Sequence, residues 1–270
     1  MKIILSHDVD HLFMQEHWRD SFIPGLIKRT ALSLSRRQLS ISQAVRRFSA
    51  TLNNVDDLAT FNADNGLPQT FFFGMARGLN LSYQSKAAAP LIRYLADIGV
   101  DVGLHGIAYE DVTRMRAEKQ QLADILGAEP QFIRNHYLRM APQTHSIMAS
   151  IGYSVDSSLE SLEPPWQVDT LWVLPISLMD ASLYGRAAGR LSEMRSLGIS
   201  RVEEALTKGL PYFVVNFHDI YFSDGYPVLR AWYTDFVSEM LDRGYEFCSF
   251  SDAARELNEC YVDPDRLSAD

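Results

Sequence analysis

The chain has 270 residues, 25 Lys+Arg against 34 Asp+Glu, and a formal net charge of −9. Hydrophobic residues make up 47% and charged residues 22%, enough for a buried core, which excludes intrinsic disorder, collagen and coiled coil. The acidic balance speaks against nucleic acid as a partner, and two cysteines, Cys248 and Cys260, make neither a disulfide framework nor a thiolate zinc site.

In chain order, Lys2 to Leu5 reads as a buried strand. Charged residues follow Met1 too soon for the roughly 7–15 apolar residues of a secretory signal. No apolar run approaches the ~20 residues of a membrane span, so the expected location is the cytoplasm. From His11 to about Gly66 there is no strand signal, and residues 12–66 read as a helical insertion after strand 1. Within it, Ser21 to Ala50 carries Lys28, Arg29, Arg36, Arg37, Arg46 and Arg47 and no acid, interleaved with apolar residues. One reading is a set of solvated helices capping the fold. The other is a basic amphipathic surface for anionic lipid, peripheral to the inner membrane, or for a pyrophosphate-bearing substrate.

Further apolar runs read as strands: Gln69 to Gly74, Val100 to Leu104, Gln131 to Ile133, Tyr153 to Val155, Leu171 to Pro175, Tyr212 to Phe217 and Glu246 to Phe250. Helical spacing with glycine stops marks Ala87 to Ile98, Asp111 to Leu126 and Pro227 to Leu241. Strands alternating with helices predict an α/β fold around a parallel sheet. The reactive residues Asp8, Asp10, His105, Arg134, His136, Asp156 and His218 all fall at or just past strand C-terminal ends, which favours a distorted (β/α) barrel of seven or eight parallel strands. An open doubly wound sheet is the runner-up. The expected organisation is one domain over residues 1–270, with a mobile acidic tail at 263–270.

Asp8-Val9-Asp10 places two carboxylates on one side of an extended chain, a repulsive pair unless a cation sits with them. Nearby histidines make a divalent metal one such cation, and salt bridges to arginine the other reading. His105, before Gly106, is a ligand if Asp10 lies beside it and structural otherwise. His218 suits a general acid or base near neutral pH. Adjacent Asp219 points elsewhere and caps the loop, so Asp156 is a candidate orienting carboxylate. Arg134-Asn135-His136-Tyr137-Leu138-Arg139 suits sugar or carboxylate recognition, or the orientation of a catalytic carboxylate.

Taken in order, these motifs resemble the polysaccharide deacetylase superfamily, the carbohydrate esterase family 4-like group that shares the NodB homology domain. Asp8-Val9-Asp10 is similar to its first motif, Thr70-Phe71-Phe72-Phe73 to its second strand, Asp101-Val102-Gly103-Leu104-His105 to its histidine strand, Arg134 to Arg139 to its arginine motif, and Phe217-His218 to its late histidine motif. The resemblance implies Asp8 as base, Asp10 and His105 as metal ligands, Arg134 as the residue positioning the base and His218 as acid. His136, Tyr137 and Asp156 are the expected substrate contacts. The family's second histidine, four residues after the first, is here Tyr109. Tyrosine, with a pKa of about 10, is a poor zinc ligand at neutral pH, which leaves a metal on Asp10, His105 and waters, or Glu110, His11 or His7 as substitutes, or a lost metal.

The implied activity is metal-dependent removal of an N-acetyl or other N-acyl group from an amino sugar, nucleotide- or lipid-linked. The implied cofactor is a divalent ion, zinc first, with cobalt, iron or nickel as alternatives. The variant motifs look most like a branch found with O-antigen or capsule biosynthesis. The competing functions are a catalytically degenerate sugar-binding member of the same fold and a metal-dependent phosphoesterase.

Overall fold

A computed structural model describes residues 1–262; the acidic tail expected at 263–270 lies outside the described residues. Nine strands form a single sheet. They are β1 (Lys2–Val9), β2 (Gln69–Phe73), β3 (Asp101–Gly106), β4 (Phe132–Asn135), β5 (Val155–Asp156), β6 (Trp166–Val168), β7 (Leu171–Val173), β8 (Ile176–Met179) and β9 (Tyr212–Asn216). The helices are α1 (Phe22–Ser35), α2 (Ile41–Arg46), α3 (Val55–Asp64), α4 (Ser85–Asp97), α5 (Val112–Leu126), α6 (Thr144–Ser150), α7 (Asp180–Arg186), α8 (Leu191–Thr207), α9 (Pro227–Asp242) and α10 (Phe250–Val262).

The strand order is β6-β7-β5-β4-β3-β2-β1-β9-β8. Every pairing is parallel except β6 with β7. The loop after β5 reaches round to the edge strand β8 through a short bridge. Ile176 donates its N–H to the Leu159 carbonyl at 2.7 Å, and Ser161 donates to the Ile176 carbonyl at 3.0 Å. The result is the distorted, incompletely laddered α/β barrel expected, with α1, α2 and α3 inserted after β1.

The pleat sorts residues into two cores, because successive side chains on a strand face opposite ways. Ile3, Leu5, Phe71, Phe73, Ile133 and Val215 face outward and pack under helices, against Leu58, Ile92, Leu122, Val202 and Trp232. Ile4, Phe72, Phe132 and Val214 face inward, where Phe250 and Ala253 of α10 plug the base of the barrel. Gly103 belongs to this interior. A Cβ there would lie 2.6 Å from the Phe72 ring and 3.0 Å from the Phe132 carbonyl. Gly103→Ala is therefore expected to cost roughly 1–3 kcal/mol of stability by overpacking, measured as a lower denaturation midpoint at unchanged slope.

Glu246 to Phe250 is not a strand. Its chain makes one bridge, Phe247 to Ile3, in the space beside β1 that β2 occupies from Leu5 onward. The remainder turns directly into α10, which begins at Phe250.

Candidate active site

Above the apolar plug the barrel interior becomes polar. Ser6 and Asp8 follow Ile4 on the inward face of β1, as their spacing of two requires, and Asp10 comes one residue past the strand's end. Arg134, on the inward face of β4, is fully buried with its guanidinium 4.4 Å over the Phe72 ring. It donates to Asp8 Oδ1 at 2.8 Å, to Ser6 Oγ at 2.9 Å, and to the carbonyl and hydroxyl of Ser157, each at 3.0 Å. Asn216 Nδ2 donates to Asp8 Oδ2 at 2.8 Å. Burial alone would raise the Asp8 pKa. The charge of Arg134, helped by His105 and His218, outweighs it and holds the carboxyl down at about 2. Asp8 is thus an ionised carboxylate with both oxygens fixed.

At the mouth, Asp10, His105 and His136 bring one ligand atom each to within 4.8 Å of one another. His105 Nε2 lies 3.2 Å and His136 Nδ1 3.3 Å from Asp10 Oδ1, and the two nitrogens are 2.9 Å apart. The other ring nitrogens set the tautomers. His105 Nδ1 faces the Arg134 carbonyl at 3.0 Å, and His136 Nε2 faces the Leu79 carbonyl at 3.0 Å. A carbonyl only accepts, so each neutral ring carries its proton there. Three lone-pair atoms then converge with no hydrogen between them, and Asp10 Oδ1 is buried without a hydrogen-bond partner.

Such a cluster is repulsive unless it holds a positive charge. A proton is one solution: burial lowers the His136 pKa, but Asp10 outweighs it and raises the value overall. A divalent cation is the other. The donor set, two imidazoles backed by carbonyls and one carboxylate, fits it.

His218 stands across the mouth, with Nε2 3.8 Å from Asp10 Oδ2 and 3.9 Å from Asp8 Oδ2. Its Nδ1 donates to Asp180 Oδ1 at 2.9 Å, and its backbone N–H donates to Asp180 Oδ2 at 2.6 Å. Burial lowers the His218 pKa, but the Asp180 carboxylate, with help from Asp10 and Asp8, outweighs it and raises the value to about 10.

Several sequence-predicted residues stand elsewhere than expected. His136 joins Asp10 and His105 rather than sitting apart as a substrate contact. Asp156 is fully buried, accepting from His145 Nε2 at 3.0 Å and from Ser158, so it braces the loop after β5. Tyr109, at the vacant histidine position, is tied by its hydroxyl to Arg139 at 3.0 Å. His7 points outward between Phe71 and Tyr233; burial pushes its pKa down to about 3. Glu110 is exposed, and His11 Nδ1 faces His17 Nε2 at 3.2 Å. Asp219 does cap a loop, accepting the Asn54 N–H at the start of α3 at 2.8 Å.

Tyr137 is 60% exposed on the rim. Its ring lies 4.2 Å from that of His136, and its backbone has φ 56°. Leu138 follows with φ 52°, and Leu79, whose carbonyl holds His136, has φ 54°. Left-handed backbone at three residues with side chains is strain, concentrated around the cluster.

Asp180 is the site residue that sequence reasoning missed as a partner of His218. Its signal was present: it follows a short apolar run, at the start of α7, as Asp10 follows β1.

No protein-family model and no curated protein matches the chain. Among solved structures, it superposes on a putative polysaccharide deacetylase from Mycobacterium smegmatis with a TM-score of 0.67 at 19% identity, covering 95% of this chain and 90% of that one. The fold is that of the polysaccharide deacetylases. The Bc1960 peptidoglycan N-acetylglucosamine deacetylase gives 0.51 at 10% identity, over 93% of this chain and 86% of that one. A CE4 family pseudoenzyme from Bacillus anthracis gives 0.52 at 9% identity, over 94% of this chain and 65% of that one. The deacetylase fold thus carries both active and inactive proteins, and the side chains at the mouth must decide between them.

Proposed function

We propose that this protein is a metal-dependent N-deacetylase of an amino sugar. The observation that carries the reading is the convergence of one ligand atom each from Asp10, His105 and His136, beside a separate ionised carboxylate and an Asp-oriented imidazole. Asp10, His105 and His136 would hold a divalent ion. Zinc suits the set best, and cobalt, iron or nickel share it. Such an ion, when bound, polarises an acyl oxygen and acidifies a water.

The chain's own groups do the rest. Asp8 takes the proton from the attacking water, and Arg134 and Asn216 keep its carboxylate aimed. The water oxygen bonds to the acyl carbon. A backbone N–H of the His136–Tyr137 turn offers the developing oxyanion a donor. His218 then passes the proton of Nε2 to the amine nitrogen as the C–N bond breaks, releasing acetate and the free amine. Tyr137 and the Leu79 turn border the sugar. A nucleotide- or lipid-linked sugar of surface-polysaccharide biosynthesis is the substrate class proposed.

A degenerate sugar-binding protein is the competing reading raised by Tyr109, and a third donor from His136 speaks against it. The test is acetate release from N-acetylated sugars by zinc-loaded protein. Phosphate release from sugar phosphates, or no turnover with metal bound at one equivalent, overturns the reading.

Asp180→Asn checks the acid. A general acid works while protonated, so its rate is lost as pH rises through its pKa. With Asp180 that point lies at about 10. Without the carboxylate it falls, so the alkaline limb of the kcat/KM profile is expected to move to lower pH. An unmoved limb would remove His218 from the role.

A further inference from the structure

The helical insertion has a surface unlike the rest of the molecule. From Ser21 to Val55 the sequence holds six cations and no acid, which leaves a net −15 to the remaining residues. Arg47 is buried, with Nε on the Gly225 carbonyl at 2.7 Å and its guanidinium over Tyr226. Lys28, Arg29, Arg36, Arg37 and Arg46 are exposed, and none lies within 4 Å of a carboxylate among the described residues. Elsewhere about half of the described cations are paired with a carboxylate, as in Lys2–Glu256, Arg195–Asp235 and Arg230–Asp224.

The same segment carries six of the fifteen large apolar side chains that the described residues expose, and Trp18 just before it is a seventh. They follow helical spacing. Phe22, Leu26, Thr30 and Ser33 of α1 are buried, while Ile27 and Leu34, seven apart, share an outward stripe. Ile41, Val45 and Phe48 lie four and three apart on the outward side of α2 and the turn after it, at 79%, 66% and 41% exposure. Trp18, just before α1, is 76% exposed.

We infer that α1, α2 and Trp18 form a docking surface for an anionic lipid bilayer. Apolar stripes set beside unpaired Lys and Arg match what an interfacial surface needs: side chains that enter the acyl boundary and cations that meet phosphate headgroups. A second copy of the chain is a poor occupant, because pairing this face with itself would oppose like charges. The surface also begins at the rim of the site. Ser21 Oγ donates to Asn80 Oδ1 at 2.9 Å, Asn80 Nδ2 donates to the Tyr137 hydroxyl at 3.3 Å, and Phe22 packs on His11 at 4.1 Å. The mouth would therefore open beside the headgroups. The docking stands without the deacetylase reading.

The experiment is co-sedimentation of the full chain with phosphatidylcholine vesicles, with and without phosphatidylglycerol. Binding is expected only with the anionic lipid and is expected to fall with salt. K28E/R36E is expected to weaken it on the order of thirtyfold, from two headgroup-facing cations, and I41S/V45S to weaken it as well. All four side chains are exposed, so thermal unfolding should be unchanged and reports any variant that misfolds. No sedimentation, equal binding to neutral vesicles, or binding that neither variant alters overturns the proposal. So does absence of vesicle binding with a dimer that I41S/V45S dissolves, or with capture by polyglutamate instead.

Discussion

His136→Ala is expected to abolish binding of one divalent metal and to lower kcat/KM for acetate release by about 10³-fold or more. The tautomers set the ligand count. The Leu79 carbonyl fixes the proton of His136 on Nε2, and the Arg134 carbonyl fixes that of His105 on Nδ1. Removing His136 leaves only His105 Nε2 and Asp10 Oδ1 converging, two protein ligands where a catalytic zinc usually has three. Loss of a Lewis acid removes several kcal/mol of transition-state stabilisation, and about 1.4 kcal/mol is tenfold in rate. Tyr109→His is the control. If the ion sat where the sequence pattern suggested, restoring a histidine at 109 would rescue His136→Ala. Tyr109 is instead held by Arg139, with the guanidinium 4.2 Å over its ring, so no rescue is expected. Equilibrium dialysis with zinc reads the binding directly. Full metal binding by His136→Ala would dismiss the three-ligand cluster.

The legible part of this site was the part that periodicity carries. Alternation along β1 put Asp8 and Asp10 on one face, and the strand ends of β3, β4 and β9 delivered His105, Arg134 and His218 to the same mouth. Contacts of 2.8–3.9 Å now join those residues. The third ligand was not legible, because it depends on where the turn after β4 goes once it leaves the sheet. Tyr137 and Leu138 adopt left-handed backbone, which no composition rule predicts for these residues, and that turn sets His136 against Asp10. Asp180 follows an apolar run but lacked an alternation signal for a different reason. β8 is an edge strand with an irregular register between Ile176 and Leu178, directly after Pro175, so no alternation marked it. α8 was hidden by Gly198, a poor helix residue, which sits in mid-helix where a Cβ would come 3.3 Å from the Trp232 indole nitrogen. The helix takes the glycine for close packing on α9.

Asp8→Asn is expected to lower kcat by 10²–10⁴-fold, the range for loss of a general base, while leaving metal content unchanged. The geometry allows the substitution to be nearly isosteric. The new amide oxygen can still accept from Arg134. The new NH₂ would face the NH₂ of Asn216, but Asn216 Oδ1 has no partner now, so a flip of that amide restores the bond. What cannot be restored is the charge. Arg134 is buried with Asp8 as its only carboxylate contact among the described residues, and an uncompensated buried guanidinium is costly.

This gives a second readout, independent of turnover. The Asp8 pKa is held at about 2, below its ordinary value. A depressed carboxylate contributes stability that is present above its unfolded pKa and lost as pH falls through the folded one, here on the order of 2 kcal/mol. The wild-type protein should therefore lose stability between about pH 4 and 2, and Asp8→Asn should lack that increment and start from a lower plateau at neutral pH. Arg134→Lys tests the same pair from the other side. A point charge without the guanidinium fork keeps part of the plateau but loses the bonds to Ser6 and Ser157, so its kcat should fall with Asp8 still present. An Asp8→Asn protein that retains wild-type kcat would leave the proton of the attacking water without the acceptor assigned to it, whatever the metal content.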